Sequence, residues 1–70
     1  MKYAVVIENA GANFSAYAPD LPGCVATGGT VDETKQRMAG AIAMHLEGMR
    51  EDGEEPPAPS ALCDYVTVAA

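Results

Sequence analysis

Basic side chains are few in this sequence: four Lys and Arg stand against ten Asp and Glu, a formal charge of −6 with a pI near 4.3. Such a balance repels phosphate backbones and anionic membrane surfaces, so direct binding of nucleic acid or of a membrane is not expected. The same imbalance favours fast encounter with a basic partner, because complementary fields steer association and suppress wrong pairings. Cysteine and histidine are scarcer still. Two cysteines and one histidine are little material for a disulfide framework, and a zinc-type site needs three or four convergent ligands. No metal and no cofactor are expected. Long apolar runs are missing too: nothing approaches the roughly 20 residues that span a bilayer, and the apolar part of "MKYAVVIENAGANF" is too short for the core of a signal peptide. These absences point to the cytoplasm. There Cys24 and Cys63 are read as free thiols, buried in strand-like surroundings as small hydrophobes, with a disulfide between them left open.

What is present is enough for one small domain, residues 1–70. Hydrophobic residues make up 49% of the chain, an ordinary share for a globular protein and too high for a disordered one. A chain of this length buries only about 60% of the surface it exposes when unfolded. Its core is therefore small, and with little help from disulfides or metals, self-association is the expected compensation.

"KYAVVIE", Lys2 to Glu8, is rich in β-branched residues and runs into the glycine-containing hairpin connection "NAGA". "NFSAYA", Asn13 to Ala18, places Phe14, Ala16 and Ala18 on one face and Ser15 and Tyr17 on the other, the alternation of a half-buried strand. Pro19 lacks the N–H a ladder requires, so that strand should stop there, and Pro22-Gly23 suits the centre of a type II turn. A short third strand, "CVATG", follows. Thr30 and Glu33 form a T-x-x-E capping box, in which the threonine accepts from a first-turn amide and the glutamate reaches back to the cap. Val31, Thr34, Met38, Ala41, Ile42, His45 and Met49 then recur as one helical stripe, with Gly53 as the stop. The three prolines of "EEPPAPSA" forbid helix, and "CDYVTVAA" reads as a final strand. The expected fold class is α+β with order β-β-β-α-β, a three-to-four-stranded sheet packed by one long helix.

Several residues invite a chemical reading. His45 is the lone histidine and falls on the apolar stripe without an identifiable nucleophile or carboxylate, so it is expected to be half-buried with a hydrogen-bond partner, and no catalytic residue is assigned. Glu8, Glu33 or Glu47, and Asp64 could in principle form a carboxylate cluster for two-metal phosphodiester cleavage. Capping accounts better for Glu33, however, and nothing basic is placed to hold a nucleic acid. "GGT" before the helix resembles an anion-binding helix start, but Asp32 and Glu33 would repel an anion. Ala39, Gly40, Ala43 and Met44, opposite the stripe, leave small or apolar side chains where charges are usual. They are either a low-charge exposed face or a self-association surface. Glu47, Glu51, Asp52, Glu54 and Glu55 crowd the negative end of the helix macrodipole, at a cost of about 0.3 to 1 kcal/mol each at exposed sites. They are either a solvated acidic loop or the binding surface for a positively charged partner.

The pattern F-x-A-x-x-P-D-L-P-G-C-x-x-x-G-x-T-x-x-E from Phe14 to Glu33, the helical "AIAMHLEGM" and the proline-rich return to a last strand together resemble the HicB-type antitoxins and their small stand-alone relatives. The resemblance runs from Lys2 to Val68. It implies a partial RNase-H-like domain without nuclease activity. It also implies a function: binding and blocking a HicA-like toxin, a small basic mRNA-cleaving protein that carries its own catalytic histidine. By this resemblance Pro19, Pro22 and Gly23 shape a corner, Cys24 packs, and Thr30 with Glu33 starts the helix. Many such antitoxins add a C-terminal helix-turn-helix or ribbon-helix-helix that binds operator DNA; this sequence stops at Ala70 after its expected last strand, so no DNA contact of its own is expected. The alternative function is a self-assembling binding or regulatory module of the same fold without a toxin partner.

Overall fold

The computed structural model describes residues 1–69. Three short strands, β1 (Val6–Asn9), β2 (Phe14–Tyr17) and β3 (Val25–Gly28), form an antiparallel sheet in the order β1-β2-β3, and one helix, α1 (Val31–Glu51), packs on it. The α+β reading holds for this part of the chain. Register is set by Val6 opposite Tyr17 and Phe14 opposite Gly28, which keeps Ala16 on the helix side and leaves Tyr17 half exposed. One face is thus buried and the other wet, as the alternation in the second strand requires.

The turns follow from local chemistry. In the first hairpin Gly11 takes a φ of +91°, the left-handed region that glycine enters without steric cost, and its N–H donates to Asn9 Oδ1 at 3.0 Å. The corner between β2 and β3 is two consecutive turns: Leu21 N–H donates to the Ala18 carbonyl and Cys24 N–H to the Leu21 carbonyl, both at 3.0 Å. Pro22 and Gly23, the latter at φ +84°, occupy the centre of the second turn as type II geometry demands.

α1 begins and ends by recognised devices. Thr30 Oγ1 accepts from Glu33 N–H at 3.0 Å, while Glu33 Oε1 accepts from Gly29 N–H at 3.2 Å. The glutamate therefore reaches one residue beyond the cap it was expected to bond. At the far end Gly53, at φ +77°, donates to the Arg50 carbonyl and Glu54 donates to the Met49 carbonyl, the paired bonds of a Schellman motif.

The core is small: Ala16, Ala18, Leu21, Cys24 and Met38, with Thr34 buried beside them. Ile7, Ile42, Leu46 and Met49 pack against it from the rim. The helical stripe needs two corrections. Val31 at the first helical position is 47% exposed, and Leu46, left out of the stripe, belongs to the core rim.

The principal departure lies at the C-terminus. No strand is formed from Cys63 to Ala69, so the observed order of regular elements is β-β-β-α and the sheet has three strands. Nor does the first strand begin at Lys2: Tyr3 and Val5 pack against the core, but residues 2–5 form no ladder pairing.

Candidate functional site

The acidic residues expected to meet a partner are all exposed, but they are not one cluster. Glu47 and Glu51 project from the last turns of α1, Asp52 caps it, and Glu54 and Glu55 follow the Schellman glycine. Glu54 is shared by two adjoining surface concavities. One is lined by Glu54 and Glu55 with Met1, Arg50, Gly53 and Pro56; the other brings Glu54 and Asp52 together with Pro22, Met44, His45 and Met49. The structure therefore gathers Asp52, Glu54 and Glu55 around the end of the helix and leaves Glu47 and Glu51 outside both hollows. Arg50 is the basic residue in the last turn, so the site is a partly apolar surface with an acidic rim.

Met44, assigned to the self-association face, is 74% exposed and borders the second concavity. Ala39, Gly40 and Ala43 lie on the open side of α1, and nothing stands within 4 Å of where a Cβ on Gly40 would be. His45 is half-buried as expected, but among the described residues its ring makes no hydrogen bond. The two cysteines differ from each other. Cys24 is buried, and that burial pushes its thiol above the usual range, whereas Cys63 is a free, exposed thiol on the C-terminal segment rather than a packed one. Glu33 pairs with Arg37 at 3.0 Å and caps the helix. Among the described residues no group of three or more His, Cys, Asp or Glu side chains stands together in a way that could hold a metal ion.

One residue that sequence reasoning passed over has the densest polar contacts on the surface. Asp20, in the corner between β2 and β3, accepts from Ser60 N–H at 2.9 Å, Ser60 Oγ at 2.8 Å and Ala61 N–H at 3.1 Å. The Ser60 amide, then the Ala61 amide and the Ser60 hydroxyl, hold its carboxyl below the ordinary value of 3.8, because bonds to the charged form favour ionisation. The available signal was the aspartate between two prolines, whose own neighbours are turn backbone and whose acceptors are left for another segment. Tyr3 adds a second tie by donating its hydroxyl proton to the Pro57 carbonyl. Together they hold the proline-rich return against the body.

Two comparisons bear on this arrangement. The model of a family described as HicB_like antitoxin of bacterial toxin-antitoxin system matches residues 3–69. An "Uncharacterized 14.9 kDa protein in rep-hol intergenic region" of Haemophilus phage HP1 (strain HP1c1) is 36% identical over 66 residues, which are 94% of this chain and 50% of that protein. The chain thus spans about half the length of this curated relative. No described helix is long and apolar enough to cross a membrane.

Proposed function

The chain belongs to the HicB-like antitoxins of bacterial toxin–antitoxin systems, and from that premise we propose that it binds and neutralises a small basic, HicA-like mRNA-cleaving toxin. The observation that carries this reading is the family match across residues 3–69; the charge distribution supports it. A basic RNA-cleaving protein must present cationic groups to its substrate, and an acidic chain of formal charge −6 competes for those groups. The proposed contact surface is Asp52, Glu54 and Glu55 with the apolar floor that Met44 and Met49 provide, extended along the helix by Glu47 and Glu51. Apolar area at the centre and charge at the rim is the usual division of labour in a protein interface. On this reading the chain has no catalytic residue and needs no cofactor, and it acts in the cytoplasm where mRNA is cleaved. Ala39, Gly40 and Ala43 then supply a second surface, one on which another chain's backbone can approach closely.

The test is inhibition. The HicA-like protein of the same genome, purified and incubated with messenger RNA, should lose its cleavage activity as this chain is added to about equimolar amounts. Undiminished cleavage, with no complex on gel filtration, would remove the toxin from the proposal and favour a self-assembling module of the same fold.

A further inference from the structure

We propose that the proline-rich return is a latch: residues Glu55 to Ala61 swing as one stiff arm about Gly53, and two side chains of the body, Tyr3 and Asp20, hold the arm shut by acting together. This inference does not depend on the toxin reading.

The arm has little else to hold it. Glu54 N–H donates to the Met49 carbonyl at 2.8 Å, and among the described residues no backbone–backbone hydrogen bond involves any residue beyond Glu54. Within residues 55–61 only Pro56 and Ala61 are half-buried, and the others are exposed. The segment is fastened instead by side chains. The Tyr3 hydroxyl donates to the Pro57 carbonyl, and the Asp20 carboxylate accepts from Ser60 Oγ at 2.8 Å, Ser60 N–H at 2.9 Å and Ala61 N–H at 3.1 Å. A segment with few buried contacts opens at a fraction of the free energy of global unfolding.

The sequence makes the arm stiff and its joint free. Gly53 stands at φ +77°, and glycine crosses between backbone regions without steric cost. From Glu55 to Pro59, in contrast, every residue is a proline or precedes one, so φ is fixed at three positions and the residues before them are pushed into extended conformations. Five such residues make a rod of about 15 Å at the rise of polyproline II. The Tyr3 tie falls on this rod at Pro57 and the Asp20 tie at its far end, so releasing either one shifts the other. The body side is equally fixed. Asp20 sits in the corner whose neighbours Ala18, Leu21 and Cys24 are buried, and Tyr3 packs against the core.

The latch shapes the surface. The hollow at the end of α1 is lined by Pro56 and Ala58 of the arm together with Met1 and Arg50 of the body, and a further hollow lies between residues 2–5 and residues 61–63. Both have the return segment as a wall and therefore exist only while the latch is shut, so a partner seated in either selects the shut state.

The experiment is native-state amide exchange by NMR on the full chain and on Tyr3→Phe, Asp20→Asn, Pro59→Gly and Tyr3→Phe combined with Pro59→Gly. Tyr3→Phe keeps the ring in place and removes only the hydroxyl, whose partner is Pro57 and not the amides that are read. The Ser60 and Ala61 amides should be protected in the wild type, and Tyr3→Phe should speed the exchange of both about fivefold, as the net loss of one hydrogen bond implies, with α1 and β2 amides unchanged. Asp20→Asn should in turn move the Tyr3 ring signals. Glycine at position 59 puts a flexible joint between the two ties, so in that background Tyr3→Phe should leave Ser60 and Ala61 alone. Unprotected Ser60 and Ala61 amides in the wild type overturn the proposal. So do amides indifferent to Tyr3→Phe or ring signals indifferent to Asp20→Asn, because the ties are then independent. An effect of Tyr3→Phe that survives Pro59→Gly refutes the stiff arm, and a speed-up shared by α1 and the sheet shows that the return opens only with the whole domain.

Discussion

Gly28 is the residue on which the sheet and the helix depend for their closeness. It is buried at the end of β3, and a Cβ there would stand 2.6 Å from Thr34 Oγ1 and 2.8 Å from Thr34 N. The second neighbour is helix backbone, held by the Thr34 N–H bond to the Thr30 carbonyl at 3.0 Å, so it cannot rotate away. Gly28→Ala should therefore destabilise the fold by about 1–3 kcal/mol, the usual cost of overpacking, read as a lower urea midpoint with an unchanged slope. Gly40 is the opposite case: the space around it is open, and Gly40→Ala should raise the unfolding free energy by up to about 1 kcal/mol, read as a higher midpoint, through helix propensity alone. If both substitutions moved stability in the same direction, the close approach of β3 to α1 would not be the constraint.

At the scale of elements, the readable parts were those whose cause is local. The capping box at Thr30 and Glu33, the Gly53 stop, the Pro22-Gly23 turn and the alternation from Phe14 to Ala18 each depend on residues within a few positions of one another, and each is in the structure. The expected final strand rested on composition alone and does not form among the described residues, because β-branched residues make a strand only where a ladder partner is available. The acidic residues were legible as a run, but only the fold decides that Asp52, Glu54 and Glu55 border the same hollows while Glu47 does not. Asp20 was missed because its partners lie 40 residues away. It is nonetheless the bond between two elements, the β2–β3 corner and the proline-rich return, and its charge makes that bond sensitive to acid. Its carboxyl is held below 3.8 in the folded chain, so the tie is fully present above that value and is lost as pH falls through the depressed folded value. An NMR titration should place the Asp20 midpoint below 3.8, with the Ser60 and Ala61 amide signals moving together at that pH. In Asp20→Asn the same two amides should be displaced already at neutral pH. A midpoint at or above the ordinary value would mean that the return segment is not held by this carboxylate.

For the whole molecule, the deciding quantity is how its charge is distributed. Ten acidic residues in seventy include five between Glu47 and Glu55, at the end of α1 where the macrodipole is already negative. That arrangement does nothing for the fold, and a basic partner is what would offset it. Each Glu→Lys replacement adds two positive units, so Glu51→Lys with Glu55→Lys takes the formal charge from −6 to −2 at two exposed positions that pack against nothing in the core. Stability should be preserved or slightly improved, since cations suit a helix C-terminus. Association with the proposed basic toxin should slow by about tenfold or more at low salt, because steering by a complementary field raises on-rates over that range. The rate should also become nearly independent of ionic strength, where the wild-type rate falls steeply as the Debye length shortens from about 30 Å at 0.01 M to about 10 Å at 0.1 M. Stopped-flow association measured at those two salt concentrations separates the possibilities. Parallel salt dependences for wild type and variant would assign the encounter to another face of the molecule, whereas a flattened dependence with an unchanged dissociation rate would assign the acidic end of α1 to steering and leave the apolar floor around Met44 and Met49 to hold the complex.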